Sequence, residues 1–241
     1  MAEFKKKTAV VVSAHSADFV WRSGGAVALY AEWGWEVTVL CLSFGERGES
    51  ARLWREAGMT LEKVKAIRRE EAIRAAEVLG AKTVFFDVGD YPMRINEESF
   101  YKLVNLYRNL QPQIILTHSS HDPYNFDHPL ASHCAQEALI VAQAEGHETL
   151  CEPMGFSSIF QFEPHQPEQC GWKPEVILDI SSVWQKKYDA FKTMTAQEHL
   201  WAYYERVALQ RGVQGARNSN RKMKYGEGYQ RVFPQVVEVL A

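Results

Sequence analysis

Short, fully apolar runs alternate with longer stretches of helical periodicity along this chain. Within Thr8–Ala14, Val10-Val11-Val12 puts apolar side chains on both faces of an extended segment. That pattern marks a central parallel strand covered on each side, because an edge or half-exposed strand alternates apolar with polar. Glu36 to Ser43, Thr83 to Phe86 and Gln113 to Thr117 read the same way, and Ser157 to Phe162 and Val176 to Ile180 are further strand candidates. Between them lie predicted helices. One is Ala-rich, from about Gly24 to Trp33, with Gly34 as its turn residue. Another is a long charged amphipathic helix from Leu61 to Leu79, stopped by Gly80. Others span Glu97 to Leu110, Leu130 to Ala144 and Lys186 to Gln210. This alternation predicts an α/β fold, Rossmann-like, with a mostly parallel sheet and helices on both faces. Asn218 to Gly228 is polar and contains glycine, which predicts a loop over the site or a segment at an interface.

At 241 residues with 46% hydrophobic content, one α/β domain over residues 1–241 with a full core is expected. The net charge of -3 argues against nucleic acid as a partner, which needs a basic face. Cys41, Cys134, Cys151 and Cys170 show neither CxxC spacing nor a dense framework, so free thiols in a reducing compartment are expected. Met1 to Lys7 is polar, and no run reaches the length of a membrane span. A cytoplasmic protein with no membrane partner is the expectation.

Candidate chemistry gathers where two of the strands end. The first runs into His15-Ser16-Ala17-Asp18. Ligands of open α/β sheets collect at the carboxyl ends of strands, where imidazole and carboxylate together suit a zinc-like ion. Alternatively, Asp18 caps the following helix and His15 faces solvent. The Gln113–Thr117 run ends in a second cluster, in which His118, His121, His128, Asp122 and Asp127 fall within eleven residues. Against a polar loop with surface histidines stands the recurrence of the pattern at a second strand end. A catalytic zinc takes three protein ligands and keeps an open position, and His15, Asp18 and His128 supply that set. In the Asp127-His128 pair, the carboxylate is placed to orient another imidazole.

Strand, His-x-x-Asp, Gly24-Gly25, helix and a later Asp127-His128 resemble the PIG-L/LmbE-like zinc deacetylases, whose motifs read His-Pro-Asp-Asp-Glu and His-Pro-Asp-His. Arg68-Arg69-Glu70-Glu71-Ala72 with Leu79-Gly80-Ala81 resembles the family's second helix, and Lys187, Ala190 and Gln197 its C-terminal helix. The resemblance implies one zinc ion per chain. Three departures bear on the reaction. Ala17 stands where the deacetylases carry their general-base carboxylate, Asn125 replaces the first His of the second motif, and Met194 stands where many members have a C-terminal His. A methyl group takes no proton from water, so the metal is expected to be kept and the reaction changed. Residues 15–22, 43–50, 122–131 and 162–170 are similar to the family's hydratase branch, which acts in gallate degradation. The implied reaction adds water across a carbon–carbon double bond of an unsaturated tricarboxylic keto acid, 4-oxalomesaconate. The implied partner is a small polycarboxylate substrate, with homo-oligomeric assembly.

With Ala17 unable to act, the base is sought in Phe44-Gly45-Glu46-Arg47-Gly48-Glu49-Ser50, at the end of the second strand. Glu49 is the first choice and Glu46 the second; the alternative is a solvated charged turn. His165, between Pro164 and Pro167, is a candidate proton shuttle. Arginine forks suit carboxylates. Arg47, Arg22 and Arg68 are candidate anchors, with His121 as a further substrate contact and Arg52 and Arg94 also near strand-end loops. His118 is a candidate supporting group, and His133 is expected on a helix surface. Two other readings compete: a zinc-dependent N-acetyl sugar deacetylase using Glu49 or Asp127 as base, and a sugar- or amide-binding module without turnover.

Overall fold

The computed structural model describes residues 6–147, 149 and 151–238, so part of the polar Met1–Lys7 start lies outside the described residues. Seven strands form one sheet: β1 (Thr8–Ser13), β2 (Glu36–Cys41), β3 (Lys82–Phe85), β4 (Ile114–Thr117), β5 (Ser158–Phe162), β6 (Val176–Asp179) and β7 (Gly226–Arg231). Their order is β3-β2-β1-β4-β5-β7-β6. The pairs among β1 to β5 are all parallel, and β7 runs antiparallel to both its neighbours. The chain winds outward from β1 through β2 to β3, then returns to place β4 on the other flank of β1. The reversal between β1 and β4 is the crevice where ligands bind in such sheets.

Both faces of the sheet are covered. Alternate residues of β1 split between two cores, Ala9 and Val11 entering one, Val10 and Val12 the other. The first core packs under α1 (Asp18–Glu32), α3 (Leu61–Leu79) and α6 (Trp184–Thr193). The second packs under α4 (Glu97–Leu110) and α5 (Asp127–Gln143). The predicted stop at Gly80 is observed, with φ of 84° closing α3. A four-residue helix α2 (Ala51–Trp54) follows the glycine loop.

Three expectations need correction. The first helix begins at Asp18, not near Gly24, so Asp18 sits in its first turn. The helix expected from Lys186 to Gln210 is broken into α6, a 3-10 turn (Thr195–Leu200) and α7 (Trp201–Arg217), with Gln197 outside helical geometry at the break. Part of Asn218–Gly228 is not loop, because Gly226 to Gly228 open β7.

That strand has a specific anchor. Glu227, buried, accepts from Gly25 N (2.6 Å), Ala26 N (2.9 Å), Lys187 Nζ (2.6 Å) and Tyr229 Oη (2.7 Å). One carboxylate thereby joins α1, α6 and β7. Gly25 is required for the approach: a Cβ there would lie 2.5 Å from Ile180 Cγ2 and 2.9 Å from Glu227 Oε1. At Gly24 the nearest atom would be Lys187 Cγ at 3.3 Å. Gly25→Ala should therefore lose about 1–3 kcal/mol of stability through overpacking. Gly24→Ala should stay close to wild type. Chemical denaturation of the two variants side by side checks the contrast, and equal stabilities would refute it.

Candidate metal and catalytic site

The loops after β1, β2, β4 and β5 deliver the site. His15 follows β1 and is completely buried, so a solvent-facing histidine is excluded. Asp18, in the first turn of α1, accepts from the His15 backbone N–H at 2.8 Å, which closes the strand-to-helix turn. His128 enters from the start of α5 and Glu49 from the glycine loop after β2. One ligand atom from each of His15, Asp18, Glu49 and His128 lies within 4.8 Å of the others. His15 Nδ1 is 3.2 Å from both Asp18 Oδ2 and Glu49 Oε1, and His128 Nε2 is 3.5 Å from Asp18 Oδ1.

Each imidazole is oriented from behind by a carboxylate. His15 Nε2 donates to Asp127 Oδ2 (3.2 Å), and His128 Nδ1 donates to Asp122 Oδ2 (2.8 Å). With each ring neutral, the opposite nitrogens, His15 Nδ1 and His128 Nε2, carry the lone pairs on the side of Asp18, and the Asn125 amide also lies 3.0 Å from His128 Nε2. Carboxylates in this position fix the tautomer and raise the basicity of metal-binding histidines. His15 Nδ1 has no hydrogen-bond partner although it is buried. His118 supports the arrangement. Its Nε2 accepts from Ala14 N at 2.9 Å, and its ring stacks on His128 at 4.2 Å.

The electrostatics favour a cation. Burial opposes charge on Asp18, but His128 beside it, with a hydrogen bond from His15, holds its pKa well below the carboxylate range. Glu49 is likewise lowered: burial works against it, and the His15 charge wins. Burial favours neutral His15, yet the Glu49 charge and the adjoining Asp127 and Asp18 carboxylates outweigh it and raise its pKa. Asp18, Asp122 and Glu49 crowd one arginine, Arg22, whose Nε is 3.6 Å from Asp18 Oδ1. Buried charge of one sign needs a counter-charge. A tetrahedral ion with ligand bonds of about 2.1 Å spaces its ligand atoms about 3.4 Å apart, close to the separations here. The residues present fit a divalent metal.

A cavity of about 180 Å³ opens beside this cluster, with Asp18, Arg22, Glu49, Tyr91, His165 and Tyr204 among its lining. Other sequence candidates lie elsewhere. Glu46 turns back to accept from Phe44 N (3.0 Å), and burial raises its pKa. Arg47 is exposed and off the cavity, its backbone N–H held by Asp90 at 3.0 Å. Arg68 corrects the expectation of a substrate contact. It is wholly buried, and its donors are spent on Glu71 (2.7 Å), Gln197 (2.8 Å) and the Phe44 carbonyl (3.3 Å). His121 is exposed and absent from the cavity lining. His133 is on the α5 surface, 75% exposed at its side chain, as expected. Met194, in place of the family's histidine, is buried core.

Several groups escape sequence reading. Asp122 is visible only as one more acid in a polar loop. Asp90 holds the Glu49 loop through Arg47 N and Gly48 N (2.8 Å), 42 residues away from the nearer one. Tyr91 and Tyr204 carry no motif.

A doubly wound α/β sheet with a His/Asp/Glu cluster at its switch point defines a class, the metal-dependent α/β enzymes. Within that class the chain belongs to the PIG-L family: the model for GlcNAc-PI de-N-acetylase matches residues 10–139. A 4-oxalmesaconate hydratase of Pseudomonas putida KT2440 is 60% identical over 98% of this chain and 93% of that protein. The crystal structure of GalB, the 4-carboxy-2-hydroxymuconate hydratase of the same strain, superposes with a TM-score of 0.95 at 60% identity, covering 98% and 100% of the two chains. The N,N'-diacetylchitobiose deacetylase of Pyrococcus horikoshii shares the fold, with a TM-score of 0.79 at 22% identity over 94% of this chain and 84% of that one.

If Asp122 orients His128, Asp122→Asn should weaken metal affinity about 10–100-fold while leaving the fold intact. His15→Ala and His128→Ala should abolish stoichiometric binding. Competition against a chromogenic chelator measures all three, and wild-type affinity in Asp122→Asn would remove it from the centre.

Proposed function

We propose that this chain is a hydro-lyase that adds water to a carbon–carbon double bond of 4-oxalomesaconate, giving 4-carboxy-4-hydroxy-2-oxoadipate. Sixty per cent identity to a 4-oxalmesaconate hydratase, sustained over 98% of the chain, carries this reading. The two hydratase relatives bear names that differ only in tautomer, since 4-carboxy-2-hydroxymuconate is the enol of the same acid. Ala17 supports the reading independently, because an amide hydrolase of this family needs a carboxylate there and the methyl offers none.

His15, Asp18 and His128 would hold the metal, with zinc the ion that best suits the nitrogen and oxygen donors. When bound, a divalent ion supplies Lewis acidity next to the cavity. Glu49 is the general base. It is ionised, lines the cavity and sits on a loop pinned by Asp90, so it is positioned to take the proton from the attacking water. The hydroxyl adds to C4 of the substrate and a proton is delivered to a neighbouring carbon. His165 lines the same cavity and is the group assigned to that end. Burial and then the Arg22 charge lower its pKa, so it is neutral in the free enzyme. A bound polyanion offsets the Arg22 charge and favours the protonated ring. Arg22 replaces Arg47 as the carboxylate anchor: it is buried at the cavity wall, and its Nε has no hydrogen-bond partner. Free cysteines at 41, 134, 151 and 170 fit a reducing, cytoplasmic setting, and among the described residues no helix is long and apolar enough to cross a membrane.

Turnover is followed as the loss of conjugated absorbance with 4-oxalomesaconate. Metal-replete Glu49→Gln should lose roughly 10²- to 10⁴-fold in kcat, while Glu46→Gln stays near wild type. Loss of metal from Glu49→Gln would instead make Glu49 a fourth ligand. Arg22→Met should raise KM about tenfold or more, the worth of a charge-assisted hydrogen bond; an unchanged KM would leave the anchor elsewhere. Robust hydrolysis of an N-acetyl sugar by the unmodified chain would overturn the hydratase assignment.

A further inference from the structure

Two consecutive tyrosines of α7 grip His165. Tyr203 Oη donates to the His165 carbonyl, and its ring lies 4.5 Å from the imidazole. Tyr204 Oη stands 3.2 Å from His165 Nδ1. Tyr204 is itself fixed in place: it is 5% exposed and stacks on Trp21 of α1 at 5.4 Å, with the planes 8° apart. Burial pushes its phenol pKa up, so it keeps its proton.

The direction of this hydrogen bond follows from counting partners. Among the described residues, His165 Nδ1 is the one hydrogen-bond partner of Tyr204 Oη. If the hydroxyl accepted from Nδ1–H, its own proton would find no protein acceptor among the described residues and would be left at the cavity wall, which is less favourable than donating to the ring. Donating satisfies it. Nδ1 then bears the lone pair, and the single proton of the neutral ring is on Nε2.

We propose that Tyr204 is a positioning residue that holds His165 as the Nε2–H tautomer, so that the ring offers substrate a proton donor and not a lone pair. The functional consequence rests on the hydratase reading. An Nε2–H imidazole hydrogen-bonds to a carboxylate or carbonyl oxygen of the polycarboxylate and so faces the carbon to be protonated; the proton itself is given up by the doubly protonated ring that the bound polyanion favours, which leaves the ring neutral. It is not a second base, which leaves water activation to Glu49. Tyr203 fixes the main chain and Tyr204 the ring, so the loop between Pro164 and Pro167 presents one edge of the imidazole.

The tautomer is read directly by long-range proton–nitrogen correlation NMR on zinc-loaded protein with ¹⁵N-labelled histidine. The His165 signals are identified by their absence in His165→Gln. The expected result is a protonated Nε2 and an unprotonated, hydrogen-bonded Nδ1. In Tyr204→Phe the Nδ1 resonance should move toward that of a free lone pair. In that variant kcat should fall roughly three- to tenfold, the worth of one neutral hydrogen bond, with metal content and KM unchanged. A protonated Nδ1 in the wild type overturns the proposal, as does an Nδ1 resonance or a kcat unmoved by Tyr204→Phe. The NMR readout needs no turnover. A chain that fails to hydrate 4-oxalomesaconate therefore overturns the functional reading and leaves the tautomer measurement standing.

Discussion

Asp18 is an ionised carboxylate in the interior of the protein, and the arrangement of the site answers the cost of keeping it there. An isolated buried carboxylate would protonate rather than remain charged. Asp18 is instead flanked by the imidazoles of His15 and His128, by the Arg22 guanidinium one helical turn on, and by the His15 backbone N–H of the turn that starts α1. The histidines are held in turn by Asp127 and Asp122, which add two further negative charges. The whole assembly is over-supplied with anions, an imbalance that a divalent cation would offset. The switch point between β1 and β4 makes this possible, because only there do the loops after two adjacent strands diverge and leave room between them.

The same geometry explains which parts of the protein are legible in its sequence. Val10-Val11-Val12 and its counterparts are readable because a strand covered on both faces has no polar alternation, so the α/β fold follows from periodicity alone. His15, Asp18 and His128 are readable because each stands at a strand end or a helix start, where the local element dictates the direction of the side chain. Arg68 is misread for a physical reason: proximity to a loop in sequence says nothing of whether a guanidinium's donors are already taken. Its partners Glu71 and Gln197 come from its own helix and from 129 residues further on. Tyr204 and Asp90 are unreadable for a related reason. They act through contacts 39 and 43 residues away, and neither tyrosine nor aspartate in such a context has a local signature. The long C-terminal helix is broken at Gln197, whose amide oxygen accepts from Arg68, so a tertiary hydrogen bond overrides a continuous helical pattern there.

On the proposed function, a base moved to another loop beside an unchanged ligand set separates this chain from the deacetylases that its first motif resembles. In their first motif the general base and the metal ligands ride on one strand-to-helix turn, so their spacing is set by four residues of backbone. Here that position is Ala17, and the carboxylate proposed for the role is Glu49 on the neighbouring loop, at the cavity wall. Its placement depends on separate devices: Gly45 in the left-handed region with φ of 66°, the Asp90 clamp, and Gly48, where a Cβ would lie 2.2 Å from the Tyr91 ring. A base on a different loop approaches a bound substrate from a different side. Hydration attacks a carbon of a C=C bond and not an amide carbonyl carbon, and on this reading that attack comes from the Glu49 side of the cavity. On this proposal the ligand set stays where the fold puts it, and the loop after β2 with the His165–Tyr204 pair on the same cavity is what sets which bond is made.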